Sequence, residues 1–226
     1  CAAASDAYSA SATSATAGSD AAVVGTSATG ESNILNGQVS LGVQWSTIHT
    51  TVSGAAGDVI VQGQGAGNAL DITTFNDTHV TSTQNADSAA IGSSVFATVN
   101  DVGGGVSISS QAFCNSTNVS TDPAITEVHS DQTCRADDPA SEVNATVNNV
   151  AADVSIASSA FGNTYMEDTN ALNSPATIRQ NNISNVFSTV NSTVHNVGGS
   201  VAVTSSAIGN NAQIVHYSTD GATTGQ

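Results

Sequence analysis

Lysine is absent and arginine occurs twice, at Arg135 and Arg179, against 18 acidic residues, leaving a formal net charge of −16 over 226 residues. A nucleic-acid binder neutralises phosphates with Lys and Arg and releases counterions, which two arginines do not supply. Docking on anionic membrane surfaces is disfavoured for the same reason. Aromatics are 4% and charged residues 9% of the chain, so large core side chains are few and any core is thin and repetitive. No apolar run approaches the ~18–20 residues that a helical bilayer crossing needs. Low charge combined with frequent valine is also unlike the composition of disordered chains, which pair low hydrophobicity with many charges.

What is present is small and uncharged. Ser and Thr together number 59, with 21 Asn and 20 Gly. The chain starts at Cys1, which fits a removed signal peptide and a lipid-modified N-terminal Cys, or an unpaired or intermolecular thiol at an ordinary boundary. Either start predicts an extracellular or cell-surface protein. Cys114 and Cys134 bracket an irregular-looking polar segment, and their separation of 20 suits a loop-stapling disulfide in an oxidising compartment. That pairing leaves Cys1 over.

The chain repeats itself. Thr51–Asn68, Thr98–Asn115, Thr146–Asn163 and Thr193–Asn210 superpose, and Val52, Val99, Val147 and Val194 recur at spacings of 47, 48 and 47. Val59, Val106, Val154 and Val201 keep those spacings, as do Ile48, Val95, Val143 and Val190 upstream. Within a unit, Val106, Ile108 and Ser110 alternate with Ser107, Ser109 and Gln111, the period of a half-buried strand. Asn, Asp and Gly cluster before each such strand, where the chain must bend, and Gly-Asn follows at three of the four positions. The fold expected is all-β, a β-solenoid (parallel β-helix) of about four 47–48-residue repeats. A β-sandwich is the alternative, although its strands seldom repeat in sequence. Two coils per repeat are preferred to one large coil, which would give a rod on the order of 40 Å from eight or nine coils at ~4.8 Å each.

Two regions depart from the repeat. Residues 1–22 are Ala/Ser/Thr-rich and read either as a tether or as a donor strand for another subunit, leaving residues 23–226 as the solenoid domain. Residues 122–140 read as an irregular polar loop, with Asp137 and Asp138 in a solvated turn.

Nothing in the chain points to catalysis. His49, His79, His129, His195 and His216 show no metal-ligand spacing, and no nucleophile triad, phosphate loop or dinucleotide fingerprint occurs. The reading is a non-enzyme without cofactor or metal. Sequons stand at Asn76, Asn115, Asn118, Asn144, Asn182 and Asn191, a number that chance gives at this composition. They are the candidate glycosylation positions.

Ser-Ser-Ala-Phe-Gly-Asn (158–163) and Ser-Ser-Ala-Ile-Gly-Asn (205–210), with the valine-rich repeats around them, resemble low-lysine secreted fibre and surface-anchor proteins of bacteria, the holdfast-anchor and curlin-like proteins. The half-period Gln and Asn ladders of curlins are not found. The resemblance implies an extracellular, non-catalytic, assembling protein. Independently, solenoid ends are unpaired strand edges, and neither end of this sequence shows an obvious cap. The expected partner is therefore further copies of the chain, stacked head to tail. The alternative is a monomeric adhesin or carbohydrate-binding protein that meets surface glycans and touches a membrane only through a lipid on Cys1.

Overall fold

A computed structural model of the chain describes residues 10–25, 32–75, 77–122, 125–217 and 224–225. The strands are β1 (Ala10–Gly25), β2 (Ser32–Ser40), β3 (Val43–Ser53), β4 (Val59–Thr74), β5 (Thr78–Ala86), β6 (Ala90–Val102) and β7 (Val106–Thr121). They continue as β8 (Thr126–Cys134), β9 (Ala140–Val150), β10 (Val154–Thr169), β11 (Ala176–Asn182), β12 (Phe187–Val197), β13 (Val201–His216) and β14 (Thr224–Gly225). Every strand pairs in parallel with the strand three places on, giving sheets β1-β4-β7-β10-β13, β2-β5-β8-β11-β14 and β3-β6-β9-β12. The chain is a parallel β-solenoid with three strands per rung, and the sandwich alternative is excluded.

One repeat makes one rung. Val59 pairs beside Val106, Val106 beside Val154 and Val154 beside Val201, so the register equals the sequence period. This corrects the preference for two coils per repeat. Ala90-Ile91-Gly92-Ser93 and Ala112-Phe113-Cys114-Asn115, alike in sequence and 22 residues apart, lie in different sheets, on β6 and β7. Five rungs at ~4.8 Å make a stack of about 24 Å, shorter than the rod expected from two coils per repeat.

Identical residues stack on their copies. Val52, Val59, Val95, Val99, Val106, Val143, Val147 and Val154 build one apolar column between the first and third sheets. Leu70, Ile72, Val80, Val119 and Val128 build a second between the first and second sheets. The first-sheet strands serve both. Each turns at Gly67, Cys114, Gly162 or Gly209, where one residue drops out of the pairing and the inward face changes parity. Val59 and Val61 point inward before the bend, and Asn68, Leu70 and Ile72 after it. The Gly-Asn bend is thus a corner within a continuous strand.

The turns before these strands hold one conformation in four rungs. Gly54, Asp101, Asn149 and Asn196 have φ of 71°, 56°, 56° and 54°, the left-handed region that only Gly and short polar residues enter cheaply. Asp58 Oδ1 then accepts Gly105 N–H from the next rung, and Asp153 Oδ1 accepts Ser200 N–H, each at 2.7 Å.

Two further boundaries differ from expectation. The 122–140 segment contains β8, because Val128, Ser130 and Gln132 face inward while Glu127 and His129 face out. Only its flanks turn, and Asp137 and Asp138 are exposed there. Of the small-residue run expected as an extension over 1–22, the residues from Ala10 on lie in β1, which pairs with β4, with Ala10 beside Val59 and Ser19 beside Asn68. Alanine, serine and threonine follow one another there with little hydrophobic contrast, so the strand period is hidden in the sequence.

Candidate assembly interface

Two ladders of amide side chains each run through four successive rungs. Asn68 Nδ2 donates to Asn115 Oδ1, Asn115 Nδ2 to Asn163 Oδ1 and Asn163 Nδ2 to Asn210 Oδ1, at 2.7–2.8 Å. The glutamine ladder runs the other way. Gln84 Nε2 donates to Gln38 Oε1, Gln132 to Gln84 and Gln180 to Gln132, again at 2.7–2.8 Å. Each step joins adjacent rungs, and every one but the last, on the exposed Asn210, does so through a buried or half-buried donor and acceptor, so neighbouring rungs are matched in register as well as in shape. The asparagine column was visible in the repeat but was read only as a bend. The glutamine column (Gln38, Gln84, Gln132, Gln180) was missed, although its spacings of 46, 48 and 48 are those of the repeat.

Cys114 and Cys134 form a disulfide with Cα atoms 5.7 Å apart. Both sulfurs lie inside the rung with Ala86, Ile91 and Ala136, tying the corner of β7 to the end of β8. One rung higher, Tyr165 Oη donates to Glu167 Oε2 at 2.7 Å and Ser174 Oγ donates to Glu167 Oε1 at 2.6 Å. Burial, then the adjacent Glu167 carboxyl and the hydrogen bond to it, hold the Tyr165 hydroxyl far above its ordinary pKa, so it stays protonated as a donor.

The remaining candidate residues scatter. Cys1 and Asn76 lie outside the described residues. Asn115 is fully buried in its ladder, its Nδ2 also donating to Thr133 O at 2.9 Å, which removes it from the glycosylation candidates. Asn118 donates to Asp71 on the outer surface. Asn182 lies at the end of β11, where its amide donates to Ser184 O. Asn144 and Asn191 sit on the outer face of the third sheet. They continue the column of His49 and Phe96, whose rings stack at 4.6 Å, beside the threonine row Thr51, Thr98, Thr146 and Thr193. Together these residues line a shallow groove of about 440 Å³. Among the described residues, no group of three or more His, Cys, Asp or Glu side chains gathers into a metal site.

The ends of the stack differ from its middle. Val201 and Val203 are 48% and 47% exposed, whereas Val59, Val61, Val106, Ile108, Val154 and Ile156 in the same two columns are at most 3% exposed. Apolar side chains also mark the corner after the second sheet at both ends. Leu41 and Ile183 are exposed there with Asp87 and Arg135 between them, and Trp45 and Phe187 with Gly92 and Ala140 between them.

The model of the family described as holdfast attachment protein D matches residues 53–225. The chain belongs to that family. No curated protein and no solved structure matches it. The matched span covers the second through fifth rungs, with their valine columns, the Asn ladder and the Gln ladder from Gln84 onward.

Proposed function

We propose that the protein is a non-catalytic structural subunit of an extracellular surface assembly that secures a holdfast, and that its copies join end to end. Membership of the holdfast attachment family supports the surface role. The observation that carries the assembly is the half-exposed pair Val201 and Val203, at positions that the rungs of β4, β7 and β10 bury. A second copy of the chain is the occupant whose side chains already match these columns. A lipid on Cys1, where present, would tether the chain base to a membrane, and Asn118, Asn144, Asn182 and Asn191 remain the candidate glycan acceptors.

The test is sedimentation velocity of the native chain beside a Val201→Asp/Val203→Asp variant. The native chain is expected to form concentration-dependent multimers and the variant to sediment as a monomer with unchanged far-ultraviolet circular dichroism. A native chain that stays monomeric up to high concentration overturns the proposal. A monomeric glycan-binding adhesin is the second reading, favoured by the ring-and-hydroxyl groove at Phe96 and Thr98. It predicts glycan binding by the monomer that Phe96→Ala abolishes.

A further inference from the structure

Among the described strands the first sheet has five and the third has four. Stacking the described strands of two copies, with β1 of the upper on β13 of the lower, leaves one place empty between β12 and the next β3. Those strands would then stand ~9.6 Å apart where a sheet requires ~4.8 Å. We propose that copies join by strand replacement. β13 of one copy takes the place that β1 holds on β4 of the next, while β2 and β3 of that next copy seat on β11 and β12. This rests on the end-to-end reading above and specifies its junction.

The ladders supply the independent observation. Asparagine donors point toward the C-terminal rungs, which leaves Asn68 Oδ1 at the bottom buried and without a hydrogen-bond partner. At the top, Asn210 Nδ2 donates to Gln180 O at 3.2 Å and keeps a second N–H. Replacement brings Asn210 one rung below Asn68 of the next copy, donor to acceptor. Glutamine donors point the other way, so that ladder ends at the top on Gln180 Oε1 and at the bottom on Gln38. Gln38 Nε2 donates to Ala69 O at 2.7 Å and likewise keeps a second N–H, aimed in this junction at Gln180 Oε1. One head-to-tail junction therefore extends both ladders with the correct polarity. Joining two C-terminal ends would oppose donor to donor and acceptor to acceptor.

The apolar residues agree. Val201 and Val203 would lie on Val59 and Val61, where β1 offers Ala10 and Ala12 at the same register. Valine carries more apolar surface than alanine, so the exchange offers more to bury on Val59 and Val61. Seating β3 on β12 places Trp45 over Phe187 and Leu41 over Ile183, covering exposed side chains of both copies. Besides β1, which β13 displaces over its whole pairing with β4, the described strand in the way is β14, which pairs with β11 at Ala176 and Thr177 alone.

Engineered disulfides in the full chain, in a Cys1→Ser background, test this junction. Ile60 and Ser11 share the register position that Ala202 occupies three rungs above Ile60. Within one chain Ile60 and Ala202 are therefore ~14 Å apart, beyond the ~7 Å reach of a disulfide. Strand replacement predicts that mildly oxidised Ile60→Cys/Ala202→Cys yields a ladder of covalent multimers on a non-reducing gel. It also predicts that Ser11→Cys/Ala202→Cys yields at most one tenth as much. Equal yields, or multimers from the Ser11 pair alone, overturn strand replacement and leave end-to-end stacking standing. Failure of the unoxidised chain to form any multimer in the ultracentrifuge overturns the end-to-end reading and the junction with it.

Discussion

Asn115→Ala removes a middle member of the asparagine ladder. Its side chain is fully buried and makes three hydrogen bonds, accepting from Asn68 Nδ2 and donating to Asn163 Oδ1 and Thr133 O at 2.7, 2.7 and 2.9 Å. Truncation leaves one buried donor and two buried acceptors without their partner. Each orphan costs about 1–3 kcal/mol, and partial relaxation puts the sum at about 3–6 kcal/mol. That is a large part of the ~5–15 kcal/mol that holds a typical domain. The control is Asn118→Ala, three residues along the same strand, which loses one exposed hydrogen bond to Asp71 and should cost no more than ~0.5 kcal/mol. Urea unfolding followed by far-ultraviolet circular dichroism measures both, with the slope checked for constancy so that a midpoint shift reads as stability. A cost for Asn115→Ala below ~1 kcal/mol, or equal to that of Asn118→Ala, would refute the view that the ladders hold the rungs in register.

Three smaller perturbations follow from the same geometry. Replacing Cys114 and Cys134 together by alanine should cost about 3 kcal/mol by chain-entropy reasoning for a loop of this length, read as a lower urea midpoint than the oxidised chain shows. Tyr165→Phe leaves Glu167 Oε2 buried without its donor and should cost about 1–3 kcal/mol in the same assay, whereas a neutral result would mean that another donor reaches it. Asn149 sits at φ 56°, so Asn149→Gly should be tolerated better than Asn149→Val by at least ~1 kcal/mol, and parity between them would contradict the turn conformation.

Much of the fold was legible in the valines. Val59, Val106 and Val154 recur at the rung period because each of these rungs buries the same side chain against its copy, and stacking enforces repetition where packing is tight. The number of coils per repeat was not legible, since a strand period of two is the same on every side of the solenoid. β8 was hidden because its outward residues, Glu127, His129 and Asp131, are charged or titratable and disguise an inward row of Val128, Ser130 and Gln132. The glutamine ladder runs through β2, β5, β8 and β11, among neighbours that change from rung to rung. Self-association was argued from uncapped ends, but the polarity of the ladders exists only once side-chain amides are oriented in three dimensions. No spacing in the sequence marks Asn68 Oδ1 as the acceptor left over.

Cryo-electron microscopy of the assembled native chain reaches the central claim most directly. Strand replacement makes each copy contribute four rungs, so fibres should show the ~4.8 Å strand spacing along the axis and a subunit rise of about 19 Å. Single rods of about 24 Å that never associate would contradict the account.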